Sequence, residues 1–550
     1  MKSTVKLIKQ NIVLKILVSL LFGVASFYDS RLIFEDDIFA TPDKVFFLPV
    51  TGRALGSFVL GFIIVFAITT LMQLLQKKLS INYERTAIKP GKKEYVIWLI
   101  VFALMIVCWL PYILSYFPGG VYPDTATCIG QARSGAYNNQ QPLLYTFIFK
   151  FCTAIAGDLN AVMFFSILQV IFMAACFSYI IFRLYLHKVN KPVIIAIFAY
   201  FALFNLVPLY VVSLWKDTLY SVALLMYIFL IIERVILRDS DSHISESGMS
   251  SQATSISGII RLDIISILIW MVLTVFLRNN GIYVMFLTLI IFAVAFRKSL
   301  KELKLFFIPT ATVLVICYII QGPVFSRLHL NGPFVENLGV LQQQIAYVEY
   351  IGGDITPEQA EFLNQVCPME VMKWGYRPFD VDVIKWAEQY DNEFLEANKV
   401  EFLKVWAGVL KNNPKLFVDA YLYSTLGYWN PYKQLDISYI NPEMWGDLKA
   451  VDRYWQRDVI EDMGLSSMRE SLIPETLVSS AAFLFITLIL FVLSINKKDK
   501  SFTAFVPALG TYLTVFIATP LAFALRYVYI VVLTLPIFIV LVFIRRKSNP

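Results

Sequence analysis

A single carboxylate, that of Asp124, lies in a polar segment directly after an apolar run. The segment 117–145 reads FPGGVYPDTATCIGQARSGAYNNQQPLLY and returns through Asn138–Gln141 into Pro142. Burial raises the pKa of a carboxylate and an adjacent cation keeps it ionised, so an isolated Asp above an apolar wall can act as a general base. Asp124 also fits a plainer role, as the cap of a short helix that begins at Thr125. Both interpretations stay open on the sequence.

Three cations lie at similar edges of apolar runs. Lys216 precedes Asp217 in SLWKDTLY, Arg278 opens RNNG, and Arg526 lies in PLAFALRYVYI. Charges at a membrane edge are costly and are functional candidates, and an Arg there needs an anion, which a substrate phosphate or a lipid headgroup can supply. Plainer explanations are a snorkelling Lys216 with Asp217 as helix N-cap, and a tight turn at Asn280–Gly281. The chemistry indicated is therefore proton abstraction beside a bound phosphate, with these alternatives open.

The elements that position these residues are membrane spans. Of 550 residues, 58% are hydrophobic and 16% are charged, whereas a soluble domain carries about 25% charged residues. This composition excludes a soluble multidomain enzyme, a disordered protein and a nucleic-acid binder. The apolar runs are long enough to cross a hydrocarbon core of ~30 Å, and none alternates like a barrel strand. The sequence predicts an all-α polytopic membrane protein of about twelve transmembrane helices, at 12–28, 54–76, 96–116, 160–186, 193–212, 217–234, 263–277, 281–296, 304–322, 476–495, 503–519 and 524–544.

The net charge of +7 is distributed unevenly among the loops. Alternate loops hold 26 Lys+Arg and 9 acidic residues, whereas the long insert 323–475 holds 13 Lys+Arg and 23 Asp+Glu. By the positive-inside rule, both termini are cytoplasmic and the insert is extracytoplasmic. The polar segments around Asp124, Lys216, Arg278 and Arg526 then all lie at the outer face.

The chain divides into four parts. These are an N-terminal hairpin with a basic loop (1–94), a transmembrane core (95–322) with a first outer loop at 117–141, an extracytoplasmic domain (323–475) and three C-terminal helices (476–550). The extracytoplasmic domain is predicted to be mainly helical. One helix is expected to open with Thr356 as N-cap and Pro357 at its first position. The six cysteines do not form a pattern typical of a disulfide framework.

The segment GVYPDTATCIGQARSGAYNNQQPLLYTF resembles a loop of the GT-C superfamily, with an Asp in a large outer loop and a polar-Pro-Leu-Leu-Tyr return. Members of that superfamily are integral-membrane glycosyltransferases with polyprenyl-phosphate sugar donors, such as the protein O-mannosyltransferases. SLWKDTLY, LRNNG and P-x5-RY look like an uncharacterised bacterial branch with the same plan, over roughly residues 95–545. Two features depart from that plan. Two extra spans precede it, and the usual acidic dyad is reduced to Asp124, which leaves dependence on a divalent metal open.

The resemblance implies an inverting sugar transfer from a polyprenyl-phosphate donor to a hydroxyl of a glycan, lipid or protein at the outer face of a bacterial cell membrane. Asp124 would be the base. Lys216, Arg278 and Arg526 would bind the donor phosphate. No cofactor is certain, the other partners are membrane lipids, and no nucleic acid is expected. The groups expected to orient the sugar or the acceptor are Asn139, Gln140, Gln141, Tyr145, Asp217 and Asn279.

Three other classes stay open. A polymerase or ligase of lipid-linked glycans would use similar groups. A transporter or flippase would need polar groups deep in the bilayer and broken helices, neither of which the sequence indicates. A simple membrane anchor needs far fewer than twelve spans. The midspan polar residues Gln169 and Asn205 are predicted to make interhelical hydrogen bonds.

Overall fold

A computed structural model describes residues 11–35, 44–84, 89–158, 160–234, 251–433, 479–497, 499–518 and 521–546, which are mostly helical. The prediction of a helical membrane protein is therefore confirmed, while the number of twelve spans stays a prediction. Six helical segments of the described chain are long and apolar enough to cross a membrane. They are Ile12–Asp29, Gly52–Lys78, Lys92–Ser115, Ala161–Leu186, Leu303–Arg327 and Leu525–Phe543.

The N-terminal part is a hairpin of two long helices, α1 (Ile12–Asp29) and α2 (Gly52–Lys78). The helices pack closely, since a Cβ added at Gly61 would lie 2.3 Å from the Ser26 hydroxyl. Two antiparallel strands, β1 (Leu32–Glu35) and β2 (Lys44–Phe47), lie between them, and β3 (Ile81–Tyr83) follows α2 and pairs in parallel with β4 (Ile544–Arg546).

The bundle continues with shorter and longer helices, which include a helix at each remaining predicted span. α9 and α24 are almost entirely buried and form its centre. α5 is an additional apolar helix that the predicted spans do not include, and its 14 residues are too few to cross a membrane alone. These helices are α3 (Lys92–Ser115), α4 (Pro123–Ser134), α5 (Leu143–Ala156), α6 (Ala161–Leu186), α7 (Lys191–Leu203), α8 (Leu206–Val212), α9 (Lys216–Ile232), α10 (Ser251–Leu277), α11 (Gly281–Ala295), α12 (Leu300–Ile319), α22 (Ser480–Ile495), α23 (Val506–Ile517) and α24 (Ile530–Phe543).

The predicted span 193–212 is not one straight helix. α7 and α8 meet at an angle of 49°. The Asn205 side chain accepts a hydrogen bond from the Leu206 N–H at 2.9 Å and so caps a new helix, and Pro208 in its first turn has no N–H to continue the ladder of α7. The predicted span 193–212 therefore consists of two helices, α7 and α8, which together are long and apolar enough to form one bent span.

The described part of the insert, 323–433, is helical and has its own hydrophobic core, to which β1 and β2 contribute Leu32 and Val45. Thr356 and Gln359 form the reciprocal bonds of a capping box at the start of the helix Pro357–Val366, as predicted. All six cysteines are free. The helices of this insert domain are α13 (Phe325–Arg327), α14 (Gly339–Ile351), α15 (Pro357–Val366), α16 (Met369–Gly375), α17 (Asp382–Lys385), α18 (Asn392–Ala397), α19 (Lys399–Asn412), α20 (Pro414–Ser424) and α21 (Leu426–Trp429).

Candidate functional site

Asp124 lies at the centre of a cluster of polar side chains at one end of the bundle. Its Oδ2 accepts hydrogen bonds from Lys216 Nζ at 2.8 Å and from Arg526 Nη1 at 3.0 Å. Its Oδ1 accepts a hydrogen bond from Gln141 Nε2 at 3.2 Å, and Gln141 Oε1 accepts a hydrogen bond from Lys216 Nζ. Three residues that the sequence singled out, Gln141, Lys216 and Arg526, thus meet around the Asp124 carboxylate.

Asp124 does not cap α4, because this helix begins at Pro123 after Tyr122 as N-cap residue and has no side-chain cap. Asp217 likewise is not the N-cap of α9, which is Trp215. The plainer capping explanations for both carboxylates are therefore wrong.

The backbone before α9 is paired with the loop that carries Asp124. Gly120 N–H donates to the Val212 carbonyl at 2.9 Å, and Leu214 N–H donates to the Gly120 carbonyl at 3.0 Å. The Leu214 carbonyl then accepts hydrogen bonds from the hydroxyls of Thr125 and Tyr145. Tyr145 is fully buried, so its hydrogen bond supports the backbone that carries the cluster. This pairing fixes the start of α4 against the start of α9.

Arg526 is held by aromatic rings as well as by Asp124. Its guanidinium carbon lies 3.6 Å from the centre of the Trp215 ring, and Nη2 donates to the Tyr527 hydroxyl at 3.0 Å. Trp215 itself stacks on Tyr122 with ring centres 4.0 Å apart. A guanidinium over a Trp face is stabilised by the negative face of the ring and is fixed in orientation.

A second ion pair lies beside the first. Arg278 Nε is 3.3 Å from Asp217 Oδ1, and Arg278 Nη1 donates to the Tyr527 carbonyl at 2.6 Å. Asp217 is fully buried, and neither of its carboxylate oxygens accepts a hydrogen bond from the described residues. Asp217 thus contacts Arg278, whereas its expected role was to position Lys216 or an acceptor. Tyr527 contacts both arginines and joins the two pairs.

The remaining predicted residues lie around this cluster. Asn279 Nδ2 donates to the Asn139 carbonyl at 2.9 Å, and Asn139 N–H donates to the Leu330 carbonyl at 2.6 Å. Gln140 N–H donates to Asn138 Oδ1 at 3.1 Å. Asn139 and Gln140 thus enter these bonds through their backbone, and Gln141 is the residue of this run whose side chain reaches Asp124.

Opposite charges set the protonation state of Asp124. Burial alone would raise the pKa of Asp124, but the charges of Lys216 and Arg526 outweigh burial and hold this pKa well below its usual range. Asp124 is therefore ionised at neutral pH. Together with Asp217 and Arg278, the cluster contains three cations and two carboxylates, so it has a formal charge of +1.

The insert domain approaches the same cluster. Ala522 N–H donates to the Phe379 carbonyl at 2.9 Å, which joins the insert domain to the segment just before Arg526. Buried Lys385 lies between Glu336 at 3.0 Å and Asp382 at 2.8 Å, and its charge also acts on Asp124. The insert domain therefore lies next to the cations of the bundle.

Sequence reasoning did not select Trp215, Tyr527 or Tyr122. Each lies within one or two residues of a selected charge, inside a segment already singled out, and an aromatic neighbour of an edge cation is the signal that could have identified it. In the described residues, no three His, Cys, Asp or Glu side chains are grouped as metal ligands.

Comparison with protein families gives one match. A model described as a family of unknown function, DUF6020, matches residues 110–550. The chain belongs to this family. Neither the curated proteins nor the solved structures include a match. The DUF6020 region contains every residue of the Asp124 cluster, whereas α1 and α2 precede it.

Proposed function

We propose that the Asp124 cluster is the active site of a membrane glycosyltransferase that takes a sugar from a polyprenyl-phosphate donor at the extracytoplasmic face of a bacterial cell membrane. The observation that carries this proposal is the shared contact of Lys216 and Arg526 with Asp124, at the ends of apolar helices and beside the insert domain. A lipid-linked phosphate needs cations at the edge of the membrane and an apolar surface along which its lipid tail can lie.

In this proposal the Asp124 carboxylate pairs with the phosphate-binding cations while no donor is bound. The two cations that hold the carboxylate are the groups that a phosphate would bind, and the net charge of +1 favours an anion. A phosphate that engages Lys216 and Arg526 draws their charge away from Asp124. The pKa of Asp124 then rises from its depressed value, and the carboxylate becomes a better base.

The transfer itself needs a base and an anion-binding group. Asp124 takes the proton of the acceptor hydroxyl, and the acceptor oxygen forms a bond to the anomeric carbon of the sugar. The bond between this carbon and the phosphate oxygen breaks, and its electron pair stays on the polyprenyl phosphate. Lys216 and Arg526 stabilise the additional negative charge on the leaving phosphate. Arg278 supports Arg526 through Tyr527, and the insert domain contributes to selection of the acceptor.

Binding of undecaprenyl phosphate, the group common to such donors in bacteria, tests the proposal without knowledge of the sugar. We expect the purified chain in nanodiscs to bind undecaprenyl phosphate more tightly than undecaprenol. Arg526→Ala and Lys216→Ala should each weaken binding about tenfold, since each removes a charge-assisted hydrogen bond. Arg133→Ala, which removes an exposed cation of the same loop segment paired with Asp158 at 3.5 Å, should leave binding unchanged.

Asp124→Asn separates binding from chemistry. This variant should bind undecaprenyl phosphate as tightly as the wild type or more tightly, because the competing carboxylate charge is gone, yet it should not transfer sugar from a labelled donor. Equal binding of undecaprenol and undecaprenyl phosphate would overturn the proposed function. Wild-type transfer by Asp124→Asn would remove the base role alone. Preference for undecaprenyl diphosphate would instead favour the alternative of a glycan polymerase or ligase.

The bend between α7 and α8 is the observation that favours a transporter, since transporters contain broken helices. The polar groups at this bend are used within the fold. Gln169 Nε2 donates to the carbonyls of Val211 and Ser213, both at 2.9 Å, and Asn205 caps α8. Gln169 thus satisfies carbonyls at the C-terminal end of α8, and Asn205 satisfies the Leu206 N–H at the bend. These groups hold the turn before Lys216 in place and do not require a transport path.

A further inference from the structure

A second cluster of cations lies at the opposite end of the bundle, where α2, α22 and α24 all end. A cleft of about 190 Å³ opens there. One water molecule takes up about 30 Å³ in the liquid, so a cleft of this volume has room for a phosphate group. Its lining residues are Gln73, Gln76, Lys77, Asn496, Lys497, Val542, Ile544 and Arg545.

Part of the charge in the cleft serves the fold. Lys497 Nζ donates to the carbonyls of Leu541 at 2.8 Å and Ile544 at 3.1 Å, and Arg545 donates to the Gln76 carbonyl. These bonds satisfy free carbonyls at helix C-termini and offset the negative end of the helix dipole. Asp499 lies 3.3 Å from Lys497 and offsets one of the charges.

Further donors line the cleft. Lys77 forms no ion pair or hydrogen bond with the described residues, and it lies in the last turn of α2. Asn496 Nδ2 is buried and likewise has no acceptor within the described chain. Arg545 has further N–H groups beyond the one used by Gln76. These donors, together with the net positive charge of the cleft, suit a ligand that is an anion.

We propose that this cleft binds a phosphate group, supplied by the headgroup of an anionic phospholipid in the leaflet opposite the Asp124 site. A basic cleft between membrane helices at the level of the headgroups is suited to this ligand. Lys77 and Arg545 contact the phosphate oxygens at the open side, and the buried Asn496 amide donates from the floor.

The phosphate contacts two parts of the chain that also meet at this end through β3 and β4. Lys77 belongs to the hairpin that precedes the DUF6020 region, whereas Asn496 and Arg545 belong to that region. At this end the described contacts between the parts include the bonds of Gln76 to the carbonyls of Leu493 at 3.3 Å and Val542 at 2.9 Å. A bound phosphate adds bonds from both parts and holds the hairpin in place. This inference does not depend on the proposed enzymatic function.

Lipid retention by the full chain tests the site. Protein in nanodiscs of phosphatidylcholine, with or without phosphatidylglycerol, is released into mild detergent, and bound lipid is counted by native mass spectrometry. We expect retention of phosphatidylglycerol over phosphatidylcholine. Lys77→Gln should weaken this retention roughly five- to tenfold, from the loss of one cation near the headgroups. Lys77→Arg should restore it, and Lys93→Gln, an exposed cation at the same end of the bundle, should leave it unchanged.

Two further measurements distinguish the cleft from the Asp124 site and a lipid headgroup from soluble phosphate. Arg526→Ala should retain phosphatidylglycerol at the cleft, because Arg526 lies at the other end of α24. Inorganic phosphate is added to protein in phosphatidylcholine nanodiscs as a separate test. If it stabilises the wild type but not Lys77→Gln, and phosphatidylglycerol adds nothing, the cleft binds phosphate but the ligand is soluble phosphate. Equal retention of phosphatidylglycerol by Lys77→Gln and the wild type would overturn the proposal.

Discussion

Asp124 and Asp380 are carboxylates in opposite electrostatic surroundings. Two cations hold the pKa of Asp124 down in spite of burial. Burial and, after it, the negative charge of Asp382 raise the pKa of Asp380 to about 6, although Lys385 and Arg377 act in the opposite direction. Asp124 is therefore charged at any physiological pH, whereas Asp380 titrates near neutrality. The difference follows from the partners that each residue meets, two cations for Asp124 and the neighbouring Asp382 for Asp380.

Asp380→Asn should stabilise the protein at alkaline pH. The pKa of Asp380 is raised from 3.8 to about 6 on folding, so the folded state binds more protons than the unfolded state between these values, and stability falls as pH rises from about 4 to 6. Above pH 6 the buried charge costs on the order of 3 kcal/mol. The Asn side chain removes this cost and keeps an oxygen to accept the Asp382 N–H, which Asp380 Oδ1 accepts at 2.7 Å.

The measurement is the melting temperature against pH for the purified chain. Asp380→Asn should melt several degrees above the wild type at pH 8, with a difference that vanishes toward pH 4. Asp354→Asn, at an exposed carboxylate of the same domain, is the matched control and should follow the wild type. A difference for Asp380→Asn that is constant with pH would show that packing is responsible and the charge is not.

At the level of elements, close helix contacts decide where the site residues lie. The turn Arg278–Gly281 is closed by the Gly281 N–H, which donates to the Arg278 carbonyl at 2.8 Å. A Cβ at Gly281 would lie 2.4 Å from the Thr274 carbonyl oxygen, a distance that real side chains do not tolerate. The sequence explains Gly281 by a turn, but the structure shows that the close approach of α11 to α10 also requires a glycine.

Gly281→Ala should therefore destabilise the turn that carries Arg278 and Asn279. The added methyl group forces α11 away from α10, at a cost of about 1–3 kcal/mol. The melting temperature should fall, and binding of undecaprenyl phosphate should weaken with it.

Gly130→Ala is the matched control, because nothing lies within 4 Å of a Cβ added at this exposed position of α4. Ala favours helix over Gly by up to about 1 kcal/mol, so this variant should match or exceed wild-type stability. An equal loss in both variants would contradict the steric argument.

The predictable part of the fold is its periodic, apolar part. Run length and hydropathy are enough to predict a helix at each expected span, and Thr356 with Pro357 predicts the start of α15 correctly. The bend at Asn205 depends on a side-chain cap that competes with continuation of α7. Midspan Gln169 makes an interhelical bond, as expected, but to the carbonyls of Val211 and Ser213 at the far end of α8. Such local competition is decided by packing, and hydropathy does not report it.

At the scale of the whole molecule, the Asp124 cluster joins residues that are far apart in the chain. Asp124 and Arg526 are 402 positions apart, and Asp124 and Lys216 are 92 apart. Charge sorting of the loops predicts that these residues share one end of the bundle, but it does not predict which carboxylate meets which cation. Asp380 and Lys385 were not selected because the insert holds 23 acidic residues and 13 basic ones, and only tertiary packing distinguishes those near the cluster.

The orientation of the molecule is the prediction on which both leaflet assignments depend. Loops at the Lys93 end carry 26 Lys+Arg and 9 acidic residues, while the insert 323–475 has a net charge of −10, so the Lys93 end is expected in the cytoplasm. A membrane-impermeant maleimide should label Glu358→Cys in intact cells and Lys93→Cys only after permeabilisation, since both positions are exposed. The native cysteines should give little background, because five are buried and Cys108 is partly buried. Labelling of Lys93→Cys in intact cells, with Glu358→Cys protected, would place the Asp124 cluster at the cytoplasmic face and exclude transfer to an extracytoplasmic acceptor. The phospholipid cleft would then belong to the outer leaflet, and its phosphate chemistry would be unchanged.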